Sequence, residues 1–136
     1  QSNKLHTNII FLGRVSQDLI PAYYKKADFM VLLREVTRKN NAGFPTKFAE
    51  SMTAGIPIIC NSTSDLHQFV FDGKTGFMVD GFSQSDIMNC LLNRVITLNK
   101  DNVVYMKNET KKRICYFSCN SEKYKNEVKR FIDNLK

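Results

Sequence analysis

No apolar run in the 136 residues approaches the roughly 20 positions of a membrane-spanning helix, and stretches such as Phe29 to Leu33 are only a few residues long. Nothing at the amino terminus combines a charged segment, an apolar core and a small-residue cleavage site, so no secretory leader is expected. The four cysteines, Cys60, Cys90, Cys115 and Cys119, contain no C-x-x-C pair, and only His6 and His67 could assist them. No zinc site is expected, and small buried thiols in a reduced, cytoplasmic chain are. Neither histidine has a partner for triad chemistry. Internal repeats, low-complexity stretches and linkers are absent as well. A chain of this length fits one domain, 1–136, which excludes a two-domain enzyme within it.

What is present is an ordinary globular composition, 43% hydrophobic and 24% charged, with a formal net charge of +7. The charge is uneven. Residues 1–99 hold ten basic and eight acidic side chains, whereas 100–136 hold ten and five, so the excess sits in the tail. Such a tail can meet nucleic acid, anionic lipid or an anionic substrate, although solvated lysine-rich helix faces account for it most simply. No strand face interleaves aromatic and basic residues for base stacking, and no nucleic-acid partner is expected.

Asn8 to Leu12 (NIIFL) is β-branched and apolar and is stopped by Gly13, a buried strand followed by a turn. Ser16 then caps a helix with Leu19, Tyr23 and Ala27 on its inner face and Pro21 tolerated in its first turn. Phe29 to Leu33 (FMVLL) reads as a second strand, covered on both faces. Arg34 to Asn41 (REVTRKNN) is a polar loop leaving its carboxyl end. A helix starts at Pro45, buries Phe48 and Met52 at i, i+4 spacing, and stops at Gly55. Ile56 to Cys60 is a third strand. Asp65 caps a short helix that ends at Gly73, and Gly76 to Val79 is a fourth strand. Ser83 and Asp86 open a helix with Ile87, Leu91, Val95 and Leu98 facing inward, and the tail repeats that pattern with Tyr124, Val128, Phe131, Ile132 and Leu135. Strands alternating with helices imply an α/β class, a parallel sheet with helices on both faces.

Asn40 to Ile59 (NNAGFPTKFAESMTAGIPII) is the densest in functional signals. Gly43 and Pro45 shape a tight turn, so the N–H groups of Thr46, Lys47 and Phe48 point out of a helix start. Orphan donors, the positive end of the helix dipole and the Lys47 ammonium suit a phosphate, although an ordinary strand-to-helix connection reads the same. Glu50 lies near the same face, about 6 Å further along the axis at 1.5 Å per residue. Its carboxylate could accept the two hydroxyls of a ribose beside a diphosphate, or simply favour the helix dipole. Backbone groups of Gly13, Arg14 and Val15 could read a base edge, with the guanidinium free to stack or to meet phosphate. Arg34, Arg38 and Lys39 add positive charge that would attract a nucleotide diphosphate.

In order, FLGRVSQDLIPAYYKKADFMVLLRE, GFPTKFAESMTAGIPII and FDGKTGFMV resemble the carboxyl-terminal half of the group 1 glycosyltransferases, retaining enzymes of the GT-B type. YFSCNSEKYKNEVKRFI is similar to the family's closing segment and last helix. The resemblance implies a Rossmann-like domain that binds a sugar nucleotide, UDP- or GDP-linked. The base would lie near Gly13, Arg14 and Val15, the ribose on Glu50 and the diphosphate at Thr46 and Lys47, with no metal or other cofactor. Sugar would pass to a polysaccharide or glycolipid acceptor with retention. The family commonly carries two glutamates eight positions apart. Glu50 is the second, and Ala42 stands at the first, so a donor-sugar contact would fall to Asn41 or to backbone N–H groups of Gly43 and Phe44. The resemblance also implies two preceding strand–helix units and an amino-terminal acceptor domain. The chain is therefore expected to be part of a larger enzyme, inactive alone, and self-association would cover an open sheet edge. The basic stretch Lys111, Lys112 and Arg113 would suit contact with the inner membrane face. A non-catalytic nucleotide- or anion-binding module is the alternative.

Overall fold

A computed structural model describes residues 8–113 and 122–134, without the side chains of residues 123 and 124. The elements are α1 (Ile20–Lys26), β1 (Met30–Leu32), a short turn of helix α2 (Arg38–Asn41), α3 (Thr46–Thr53), β2 (Ile58–Asn61), β3 (Gly76–Val79), α4 (Gln84–Cys90), α5 (Lys100–Lys111) and α6 (Glu122–Asp133). The three strands form one parallel sheet in the order β1-β2-β3, with Met30 opposite Ile58 and Ile58 opposite Gly76.

Alternation along the strands decides which helix covers which face. Ile58 and Cys60 of β2 meet Phe48 and Met52 of α3, together with Leu66 and Val70. Ile59, with Phe77 and Val79 of β3, meets Cys90 of α4 and Met106 of α5. Helices thus cover both faces of a Rossmann-like α/β sheet. The helix expected from Ser83 is shorter, since α4 ends at Cys90 and Leu91–Val95 form a π-helical turn, yet Ile87, Leu91, Val95 and Leu98 all pack on the second cluster as expected. Ser83 caps α4 through a reciprocal capping box with Asp86, and Gly55 takes the left-handed stop after α3 at φ +73°.

Several expectations need correction. Residues 9–12 form no strand: Ile9, Ile10, Phe11 and Leu12 are 52%, 80%, 76% and 51% exposed. A strand needs a partner for its backbone groups, and among the described residues none runs beside this segment. β1 is an edge strand with Val31 exposed, not a strand covered on both faces. The face α1 turns inward carries Ile20, Tyr24 and Ala27, at i, i+4, i+7, while Leu19 and Tyr23 are exposed. The Ser16 hydroxyl donates to the Asp18 carboxylate and caps no backbone N–H. The expected helix after Asp65 is a single tight turn, Leu66–Gln68, with His67 exposed and no side-chain cap. Val128, Phe131 and Ile132 of α6 are exposed, so its apolar stripe has no inner side among the described residues. The Tyr124 and Leu135 side chains, His6, Cys115 and Cys119 lie outside the described residues.

Cys60 and Cys90 are free and buried, and burial pushes the Cys60 thiol up to about 12. In an unfolded chain the thiol titrates near about 8.5. Above that pH the unfolded state sheds a proton that the folded state keeps, so stability falls by about 1.4 kcal/mol per pH unit until the folded thiol also ionises. Denaturant titrations from pH 8 to 11 should show this slope in the parent chain. Cys60→Ala, less stable at neutral pH, should show a shallower one. Equal slopes in both chains would remove Cys60 as the cause.

Candidate functional site

Helix α3 is anchored from below. Phe48 and Met52, 0% and 1% exposed, fix the buried side and leave Thr46, Lys47 and Glu50 exposed on the outside. Pro45 is the residue before the helix, with extended backbone (φ −74°, ψ 120°), so the first turn begins at Thr46, one residue later than expected. The Phe48 N–H donates to the Pro45 carbonyl at 3.0 Å and is not free for a ligand. The N–H groups of Thr46 and Lys47 have no partner among the described residues, which leaves two donors and the positive end of an eight-residue helix at this spot.

Thr46 and Glu50 also border an open cleft of about 760 Å³ between α1 and α3. Ile20, Pro21 and Ala49 supply apolar wall, and Gln17, Tyr24, Lys25, Thr46 and Glu50 supply the polar groups. The Tyr24 hydroxyl donates to Glu50 Oε2 at 3.1 Å, joining side chains 26 residues apart. Burial, then this hydrogen bond, raises the Tyr24 pKa above its ordinary value, so the phenol stays a donor. A helix start that attracts anions thus shares a cleft with a carboxylate that keeps acceptor capacity free, an arrangement that suits a phosphorylated diol.

The other residues singled out from sequence do not line this cleft. Gly13 and Arg14 are exposed and Val15 is half-buried, in an irregular connection and not at the end of a strand. Gly43 is exposed, and the Phe44 ring packs edge-on against Phe48 and Phe69, each at 5.5 Å between centroids, which pins the loop to α3. Lys47 is exposed at the helix start.

The loop leaving β1 is more ordered than a polar, aperiodic sequence suggested. Thr37 caps the turn α2 by accepting from the Asn40 N–H at 3.2 Å. Buried Asn61 accepts from the Arg34 N–H at 2.9 Å and donates to the Arg34 carbonyl at 2.7 Å. The Arg34 guanidinium donates to Asn40 Oδ1 at 2.9 Å, so part of the charge expected to face a ligand serves the loop itself. Asn41 Oδ1 accepts from the Ser64 N–H at 3.1 Å, and Ala42 closes α2. At the far end of α5, Lys112 pairs with Glu109, and the Arg113 guanidinium lies 3.7 Å from the Phe71 ring centroid. Gln17, Tyr24 and Lys25 escaped the sequence reading. The i, i+4 spacing of Ile20 and Tyr24 was the available signal for the tyrosine.

Residues 1–113 match the family Glycosyl transferases group 1. The chain belongs to that family. It is similar, at 23% identity over 129 residues, to an "Uncharacterized 41.2 kDa protein in cps region" of Klebsiella pneumoniae, covering 95% of this chain and 32% of that protein. It is 28% identical over 104 residues to the "GDP-mannose-dependent alpha-(1-6)-phosphatidylinositol monomannoside mannosyltransferase" of Mycobacterium tuberculosis strain H37Rv, covering 73% of this chain and 26% of the enzyme. This group 1 glycosyltransferase chain thus spans about a third or less of the length of these relatives. Among its described residues no helix is long and apolar enough to cross a membrane, and no three His, Cys, Asp or Glu side chains are grouped as metal ligands.

Proposed function

We propose that this chain is the donor-binding part of a retaining glycosyltransferase of the GT-B type, which moves a sugar from UDP or GDP to a polysaccharide or glycolipid acceptor. The observation that carries the reading is the cleft between α1 and α3, where the start of α3 and the Glu50 carboxylate lie on one side. The diphosphate would lie on the N–H groups of Thr46 and Lys47, with the Lys47 ammonium beside them, and the ribose diol on Glu50. Developing charge on the leaving diphosphate would be met by the helix start and by that ammonium. The base would lie toward Gly13, Arg14 and Val15, and the backbone of Gly43 and Phe44 borders the sugar. Family membership supports glycosyl transfer, and the names of the two relatives, one in a cps region and one acting on a phosphatidylinositol mannoside, support the acceptor class. An amino-terminal acceptor domain would complete the enzyme, since the relatives are much longer.

Calorimetric titration with UDP, GDP and UMP tests this. One diphosphate should bind more tightly than UMP. Glu50→Ala should weaken it at least about 10-fold, because each hydrogen bond to a charged acceptor contributes about 1.5–3 kcal/mol. Lys47→Ala should cost less and should flatten the dependence on salt. Equal binding of UMP and UDP, untouched by Glu50→Ala, would sink the reading. One observation favours a non-catalytic module instead: Ala42 at the first acidic position carries no carboxylate for the donor sugar, and the neighbouring Asn41 Oδ1 already accepts from the Ser64 N–H. Turnover of a nucleotide sugar by the longer polypeptide separates the two.

A further inference from the structure

We infer that Tyr24 is a positioning residue whose hydroxyl sets the Glu50 carboxylate to receive a ribose diol, so that the chain's preference for ribose-bearing nucleoside diphosphates depends on a side chain that does not touch the ligand. This rests on the reading of Glu50 as the diol acceptor.

Glu50 is exposed, on the outward side of α3, and its side chain turns about three bonds. Two lysines are candidates to draw it off. Lys47 stands one turn earlier on the same helix, at the i, i+3 spacing that brings side chains together, and Lys25 borders the same cleft. Neither is ion-paired with Glu50. Among the described residues, the partner Glu50 has is the Tyr24 hydroxyl, from another helix. Tyr24 is suited to the task. Tyr24 is half-buried on the face that α1 turns inward, and its hydroxyl reaches Glu50 at 3.1 Å in the lining of the cleft. A phenol can give one hydrogen and no more, which occupies one lone pair of Oε2 and leaves the rest of the carboxylate for two sugar hydroxyls. Burial and the carboxylate raise its pKa, so it remains a donor at neutral pH.

A ligand meeting a free glutamate must order it on binding, whereas one meeting the Tyr24-held carboxylate does not. Removing the hydroxyl should therefore cost affinity only where there is a diol to be received. The test is titration of the parent chain, Tyr24→Phe, Glu50→Ala and the double variant with UDP and GDP, each beside its 2′,3′-dideoxy analogue, after thermal melts have shown that all are folded. Tyr24→Phe is expected to weaken the preferred ribonucleoside diphosphate three- to tenfold, to leave the dideoxy analogue unchanged, and to add nothing in the Glu50→Ala background. A merely structural tyrosine would weaken both ligands alike, and that result overturns the inference, as does an unchanged Tyr24→Phe beside a damaged Glu50→Ala. If Glu50→Ala itself leaves the preference for ribose intact, the diol reading falls and the role of Tyr24 falls with it.

Discussion

Alanine at position 76 is expected to leave the chain without a cooperative unfolding transition. Gly76 opens β3 and pairs with Ile58, the first residue of the central strand. A Cβ placed there would be driven into the Ile58 carbonyl oxygen and to 2.9 Å from both the carbonyl carbon and the amide nitrogen of Ile58. Flexible side chains can step aside from such a contact, but these atoms belong to the backbone of β2, which is buried and bonded on both sides. Relief would require separating β3 from β2, and with it the packing of Phe77 and Val79 on α4 and α5. Overpacking of side chains already costs about 1–3 kcal/mol. Loss of a strand pair goes well beyond that and would consume most of the roughly 5–15 kcal/mol that holds a small domain together. Far-UV circular dichroism against temperature reads the result. Gly43→Ala, where a Cβ would meet nothing within 4 Å, is the control. A cooperative melt of Gly76→Ala within a few degrees of the parent would contradict the argument.

Phe48→Ala should give the largest loss among core truncations, about 3–5 kcal/mol by chemical denaturation. Phe48 is 0% exposed, and its ring meets Phe44 at 5.5 Å in an edge-to-face arrangement and Phe69 at 6.3 Å. It also seats α3 on Ile58 and Cys60. The loss should not stop at stability. Thr46 and Glu50 stand two residues to either side, so a helix that settles into the vacated space carries both away from the cleft. Nucleotide affinity should therefore drop in molecules that remain folded. Phe48→Leu, which keeps most of the volume, should do less on both counts. A loss under about 1 kcal/mol for the alanine variant would mean that the neighbouring rings collapse into the space.

The interior of β2 and the cap at Ser83 were legible because their causes are local, whereas the caps read at Ser16 and Asp65 do not form. The apolar run at Ile56 to Cys60 and the Ser83 to Asp86 spacing are each decided within a few residues, and the structure places β2, two residues later at Ile58–Asn61, and the start of α4 there. Residues 9–12 have the same local character, yet they form no strand, because strand formation is a property of two segments and among the described residues no second one lies alongside. Val31 is exposed for the same reason. The candidate site divided in the same way. Thr46, Lys47 and Glu50 could be read from one helix, whereas the Tyr24 contact spans 26 residues and belongs to the packing of α1 on α3. No periodicity within either helix contains it.

Asn61 gives the sheet a rung made from a side chain. Its amide both gives to and takes from the backbone of Arg34, as a peptide unit would, so the pairing of β1 and β2 runs on past Leu32, where the chain is already turning away. A carboxylate of the same shape could only take, leaving one oxygen facing the Arg34 carbonyl, and a hydroxyl is too short to span both groups. The direction in which the loop departs toward α2 and α3 is thus written at one position on a neighbouring strand, 27 residues away in sequence.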